Sequence, residues 1–164
     1  GVKKTAPAAD LHFTYSDSIL KKTGDIVVSA VLSLQKRDAK ALLEEREKIL
    51  AERKSKHPDL RYEPCAGSFF RNIEPTSKAG KRQAAGWFLE EAGGKKLKVG
   101  GAIIYPKHAN VIVKSEGCHS QDVYELSLQM ARVVKEKFNL DLVREVLFVG
   151  KFRGMPSDMR EIIW

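Results

Sequence analysis

Apolar residues along this chain cluster in two periods, one close to two and one close to 3.6. Residues 26–34, IVVSAVLSL, are β-branched and apolar after the turn Thr23-Gly24-Asp25, and they predict a buried strand. Asp38 then predicts the N-cap of a helix to about Lys54, with Leu42, Leu43, Ile49 and Leu50 on one face. Pro58 and Pro64 disfavour helix in the residues before them and predict an extended linker, the best domain boundary in the chain. Beyond it the pattern is regular: a short strand at 67–72, a capped turn at Pro75-Thr76-Ser77, and an amphipathic helix at 78–91 stopped by Gly93-Gly94. Strands follow at 99–105 and 111–114, separated by the turn 106–110. Ser120 predicts the cap of a helix to about Phe138, with Val123, Leu126, Met130, Val133, Val134 and Phe138 facing inward. A last strand at 143–149 is closed by Gly150. The order β-α-β-β-α-β is that of a split βαβ domain of the α+β class, preceded by a strand-helix piece. Residues 151–164 show no clear periodicity.

The chain has 164 residues, 43% of them hydrophobic and 30% charged, an ordinary globular composition rather than a disordered one. No apolar run approaches the roughly 20 residues of a membrane-spanning helix. The N-terminal residues lack the apolar core of a signal peptide, and two cysteines are too few for a disulfide framework. Both features predict a cytoplasmic protein. The sequence opens on Gly1 rather than Met, so a fragment or a cleaved chain is expected.

The formal charge of +8 invites a nucleic-acid reading until its distribution is considered. Residues 1–82 carry +6 and residues 83–164 only +2, and +5 falls within residues 53–82. Such a local excess suits a small anionic ligand at least as well as a polyanion.

Candidate chemistry is sparse. Cys118-His119 is the only Cys/His neighbour pair, and the other histidines lack ligand spacing, so no metal site is expected. Gly93-Gly94 and Gly100-Gly101 do not open helices after strands and give no phosphate-binding loop. The segment Cys65-Ala66-Gly67-Ser68-Phe69-Phe70-Arg71-Asn72 stands apart. It is not a nucleophile elbow, because Phe70 fills the last glycine position. Without a base Ser68 is a poor nucleophile, yet it can donate a proton to a carbanion or enolate held against it. A structural turn serine is the competing interpretation.

These residues resemble a known family. Pro64-Cys-Ala-Gly-Ser-Phe-Phe-Arg-Asn72 is similar to the P-x-A-G-S-F-F-[KR]-N signature of the UDP-N-acetylenolpyruvoylglucosamine reductases (MurB, UDP-N-acetylmuramate dehydrogenases). Tyr15-Ser-Asp-Ser-Ile-Leu-Lys21 resembles the family's Y-R-D-S-x-[FL]-K, and Arg53-Lys-Ser-Lys56-His-Pro58 its R-x-x-K-x-P. Ala85-Gly-Trp-Phe-Leu-Glu90, Val99-Gly-Gly-Ala102, Lys107-His-Ala-Asn110 and Arg144-Glu-Val146 resemble further elements in the same order.

The resemblance implies the C-terminal part of an enzyme in which NADPH reduces FAD and the flavin reduces an enolpyruvyl group, a step of peptidoglycan precursor synthesis. By motif, Ser68 is the acid that protonates C2, and Glu145 assists protonation or positions the substrate. Tyr15, Lys56, Asn72 and His108 hold the UDP-sugar substrate, chiefly its diphosphate, and Arg53 is a candidate flavin contact. Residues 1–56 correspond to the last strand and helix of the flavin domain plus the linker, 57–150 to the substrate-binding domain and 151–164 to a tail. No nucleic-acid or membrane partner is expected. The glycine-rich flavin domain of the family has no counterpart here, so this chain alone is expected to be inactive, with the missing domain as its partner. Ser16 stands for the arginine of Y-R-D-S, Ile73 for the proline after the serine motif, and Leu147 for a flavin-proximal arginine. Those departures support a second interpretation, a non-catalytic UDP-sugar-binding module. A third, a basic nucleic-acid-binding domain, would need Phe69, Phe70 and Trp87 as exposed stacking platforms.

Overall fold

The computed structural model describes residues 1–75 and 82–156. They fall into two units, residues 1–42 and 43–164.

In the first unit a 3-10 turn at Ala8–Leu11 is followed by a tight turn in which Thr14 and Asp17 bridge, and by the one-turn helix α1, Leu20–Thr23. Gly24 ends α1 in the left-handed conformation, φ +70°, where a glycine carries no Cβ penalty. The strand expected at 26–34 does not form. Its backbone has no ladder partner among the described residues, and Val31 is 100% exposed, with Ile26, Val28 and Leu34 exposed as well. A buried strand needs neighbours on both edges and cover on its faces, and this segment has neither within its own unit.

Helix α2, Ala39–Lys56, matches the expected helix, and its N-cap is Asp38, whose Oδ1 accepts the Ala41 N–H at 2.8 Å. It buries no side chain; Leu42, Leu43, Ile49 and Leu50 all stay at least 39% exposed. The linker after α2 is a turn rather than an extended run. Asp59 O accepts the N–H groups of Tyr62 and Glu63, and its carboxylate holds the Arg61 guanidinium at 2.6 and 3.0 Å. That bidentate contact pulls the Asp59 pKa down to about 2.

The remainder of the second unit is of the α+β class. Helix α3 (Ala85–Glu91), strands β1 (Lys98–Val99), β2 (Ala102–Ile104) and β3 (Ile112–Lys114), and helix α4 (Ser120–Phe138) follow in order. The sheet is antiparallel, β1-β2-β3, with Val99 opposite Ala102 and Ile103 opposite Val113. The single strand expected at 99–105 is therefore a hairpin, turned at Gly100-Gly101. The hairpin needs these glycines, because a Cβ on Gly101 would lie 2.4 Å from the backbone of Cys118 and one on Gly100 2.5 Å from the Asp122 carboxylate. Asp122 fills that space to good effect. Its Oδ2 accepts the Gly101 N–H at 3.1 Å and the His119 N–H at 3.0 Å, capping α4 and pinning the hairpin to it. These donors hold the Asp122 pKa below the ordinary 3.8.

The strands expected at 67–72 and 143–149 reduce to single antiparallel bridges, Ser68 with Val111 and Phe70 with Arg144. Val143, Leu147 and Val149 are exposed, so only Phe148 of the last segment is fully buried. The helix expected at 78–91 is shorter. Its start and the turn at Thr76-Ser77 lie outside the described residues, while Gln83 exchanges backbone hydrogen bonds of 3.0 and 2.9 Å with Ile73 and cannot be helical. Among the described residues no helix is long and apolar enough to cross a membrane.

The core lies between the sheet and helices α3 and α4, built on Phe69, Phe70, Leu89, Leu126, Met130 and Val134. The inward face expected for α4 holds at Leu126, Met130 and Val134, with Val123, Val133 and Phe138 partly buried against it. Met130 is fully buried at its centre. Met130→Ala is expected to cost about 3 kcal/mol, transfer and cavity together, read as a lower urea midpoint with an unchanged slope.

Candidate functional site

Gly67 takes φ +80°, a conformation that favours glycine, and turns the chain so that Ser68 is exposed while Phe69 and Phe70 enter the core. Two of the three aromatics that a nucleic-acid platform would need are thus buried; Trp87 alone is exposed, at 55%.

Ser68 borders an open cleft of about 330 Å³. The helix α3 side supplies Gly86, Trp87 and Glu90, the turn before β3 supplies Lys107, His108 and Asn110, and the serine segment adds Asn72. Asn72 does structural work here too, its Oδ1 accepting the Ala85 N–H at 3.2 Å at the start of α3. The Glu90 carboxylate is matched by Lys95 at 2.5 Å, so Lys107 sets the sign of the cleft.

His108 is half-buried against Gly86, where a Cβ would come within 3.4 Å of its Cε1. Its Nδ1 accepts the Asn110 backbone N–H at 3.2 Å, which leaves the proton of the neutral ring on Nε2. The ring stacks on His57, centroids 6.0 Å apart. Burial first, and then the His57 charge, hold the His108 pKa below the ordinary 6.5. With Nδ1 taken by a backbone donor, no carboxylate orients this imidazole as the base of a nucleophilic triad. The cleft instead offers a hydroxyl, the Asn72 amide, a neutral imidazole and an ammonium group, a donor set for an anionic ligand and for delivering a proton.

Of the other expected residues, Glu145 lies beside the serine segment through its N–H, 2.9 Å from Phe69 O, and does not line the cleft. Lys56 ends α2 with its Nζ 2.6 Å from Glu52, which lowers the Glu52 pKa. It is linked to the cleft by sequence, since its neighbour His57 stacks on His108 and donates its N–H to Arg53 O. The Arg53 side chain is exposed. Tyr15 belongs to the first unit, 39% exposed, beside Ser16 in the left-handed conformation at φ +49°. Sequence patterning singled out neither Asn110 nor His57. Both lie inside quoted family motifs, Asn110 at the end of Lys107-His-Ala-Asn110 and His57 within Arg53-Lys-Ser-Lys56-His-Pro58, but neither was given a role there.

Comparison with known proteins gives this site its context. The family model described as "UDP-N-acetylenolpyruvoylglucosamine reductase, C-terminal domain" matches residues 57–149. The chain belongs to this family. It is 34% identical over 145 residues to the UDP-N-acetylenolpyruvoylglucosamine reductase of Bacillus licheniformis, covering 88% of this chain and 45% of that protein. The Bacillus subtilis reductase is 33% identical over 141 residues, covering 85% and 44%. Among solved structures, the reductase (MurB) of Thermus caldophilus aligns with a TM-score of 0.63 at 31% identity, covering 84% of this chain and 46% of that one. The chain spans less than half the length of these relatives.

The His57–His108 stack generates a measurable consequence. Because the folded pKa of His108 is depressed, its stability contribution is complete above pH 6.5 and is lost as pH falls through the lower folded value. His57→Ala is expected to raise the His108 pKa by removing the neighbouring imidazole's charge, yet not back to 6.5, since burial remains. An NMR titration of the His108 ring protons reads this directly, and an unchanged value would show that His57 does not act on the ring.

Proposed function

We propose that this chain is the substrate-binding and protonating part of a reductase that converts UDP-N-acetylglucosamine enolpyruvate to UDP-N-acetylmuramate, with FAD and NADPH, in the cytoplasm. The observation that carries the reading is the meeting of Ser68, Asn72 and His108, from two separate family motifs, on one cleft whose sign is set by Lys107. On this reading the Ser68 hydroxyl delivers the proton to C2 of the enolpyruvyl group, and Glu145 assists or positions the substrate carboxylate. Asn72 and His108, with Lys56 and Tyr15, hold the diphosphate. The UDP-sugar then accounts for the basic excess around the serine motif, with no role left for nucleic acid or a membrane.

The reading divides the chain into 1–56 from a flavin domain, 57–150 as the substrate domain and 151–164 as a tail. Segments 67–72 and 143–149 are on this view the two further strands of a split βαβ sheet, 67–72 next to β3 and 143–149 at the edge. Residues present in this chain do not fit a dinucleotide. The glycine pairs that might have cradled one are occupied by protein, Gly100 by Asp122, Gly101 by Cys118 and Gly94 by the Leu89 carbonyl. FAD and NADPH are therefore assigned to the polypeptide that makes up the rest of the relatives' length, and Arg53 is the one residue offered here as a contact to the flavin.

Calorimetric titration with UDP-N-acetylglucosamine enolpyruvate tests the reading. Binding to the chain is expected, and its absence even after addition of the N-terminal half of a relative would end the proposal. In an enzyme assembled with that half, Ser68→Ala is expected to slow substrate reduction by about 100-fold or more while leaving flavin reduction by NADPH intact. Equal loss of both would remove the acid role. Leu147, 53% exposed where the family pattern has an arginine, favours a second reading, a UDP-sugar-binding module without catalysis. That module would bind the substrate with the same affinity whether or not Ser68 is replaced, and would reduce none of it when assembled.

A further inference from the structure

Asn110 is 2% exposed, one of two buried polar side chains among the described residues, and every polar group it owns is committed to the walls of the cleft. Its side-chain amide imitates a strand neighbour. Oδ1 accepts the Phe70 N–H at 2.9 Å, and Nδ2 donates to the Phe70 carbonyl at 2.8 Å. Its own carbonyl accepts the Phe69 N–H at 2.8 Å. Its backbone N–H enters Nδ1 of His108 at 3.2 Å. One residue thus holds the backbone immediately after Ser68 and selects the tautomer of His108.

We propose that Asn110 is the positioning residue of the cleft, setting the place of Ser68 and the Nε2–H form of His108 together through the Phe69–Phe70 backbone and the 106–110 turn. The role of the cleft itself rests on the function proposed above; the positioning does not. A buried asparagine serves here because it presents a donor and an acceptor in one plane, matched to the carbonyl and N–H of a single residue. Aspartate would keep the volume and the acceptor but turn an acceptor onto the Phe70 carbonyl. Alanine would leave the Phe70 N–H and C=O buried with nothing to replace the amide. In either case the turn that carries His108 loses side-chain hydrogen bonding to Phe70 and is left with the backbone bond from the Phe69 N–H to the residue 110 carbonyl, which holds the turn less firmly against the serine segment.

The test uses the full chain and long-range ¹H–¹⁵N NMR of His108 above its pKa, with Asn110→Ala and Asn110→Asp beside the parent. The parent should show an unprotonated Nδ1 and a protonated Nε2. Both variants should shift the two ring-nitrogen resonances toward each other as the tautomers mix. They should also bind UDP-N-acetylglucosamine enolpyruvate about tenfold more weakly, the equivalent of one lost charge-free hydrogen-bond tie. Ser127→Ala is the control for stability alone: Ser127 is 1% exposed and, among the described residues, its Oγ bonds within α4, to Tyr124 O at 2.6 Å. It should lower the Tm and leave both readouts unchanged. A parent chain with Nδ1 protonated overturns the proposal without any variant, which keeps it testable if Asn110→Ala fails to fold. So does an Asn110 variant that retains tautomer and affinity, or a Ser127 variant that loses them equally. If the parent binds no UDP-sugar while the tautomer responds to Asn110, the positioning stands and the proposed function falls.

Discussion

The second unit depends on a side chain doing the work of a strand. Segment 68–71 is tied on one side to residues 143–145, through Arg71 N–H to Val143 O and Glu145 N–H to Phe69 O. On the other side the regular ladder of β3 stops short of it, and the Asn110 amide fills the gap with two hydrogen bonds to Phe70. A regular strand would supply those bonds from its backbone and would carry no information about which turn it came from. An asparagine in the 106–110 turn supplies them and brings His108 with it. Just before segment 68–71, Gly67 turns the chain so that Phe69 and Phe70 enter the core while Ser68 faces solvent, so the tie from Asn110 acts on a segment whose core and cleft sides are already set apart.

Close approach by residues without side chains does the rest. Gly86 lets the His108 ring lie against the start of α3, and Gly100-Gly101 lets the β1-β2 hairpin sit on the first turn of α4. In the second case the vacated space is taken by the Asp122 carboxylate, which accepts from both elements at once. A methyl group at Gly100 or Gly101 would therefore separate sheet from helix, not merely strain a turn. The core between them closes only because these contacts are made without Cβ atoms.

Patterning made α2 and α4 legible because each carries a long amphipathic or charged repeat that local propensity supports, although the N-cap of α4 is His119 and not the expected Ser120, which is the first helical residue. Asp38 and the Leu126–Met130–Val134 stripe are read from sequence alone. The strands were harder for a physical reason. A run such as 99–105 alternates correctly whether it is one strand or two, and only the space around Gly100 and Gly101 decides. Gln83 lies next to a helix-forming sequence but is taken by Ile73 in an isolated bridge, a pairing invisible to local pattern. The candidate site was legible in its parts, Ser68, Asn72 and His108, through motif resemblance. Their meeting place was not, since it is set by Asn110, whose partners are 40 residues away in sequence.

The segment 26–34 follows a different logic. Its alternate residues are apolar on both sets, Ile26, Val28, Leu32 and Leu34 on one and Val27 and Val31 on the other, and all are more than 60% exposed. Such a pattern is what a strand covered on both faces requires, and it is wasteful for a strand with one face in water. Unit 1–42 supplies no cover of its own and no ladder for this run. The chain meanwhile spans 45% of the Bacillus licheniformis relative. The pattern is that of a strand whose cover is not supplied by residues 1–42. The helix that follows leads from this run to His57, and from there to the ring of His108. The apolar cost of exposing this run would be lifted by any surface that covers both of its faces.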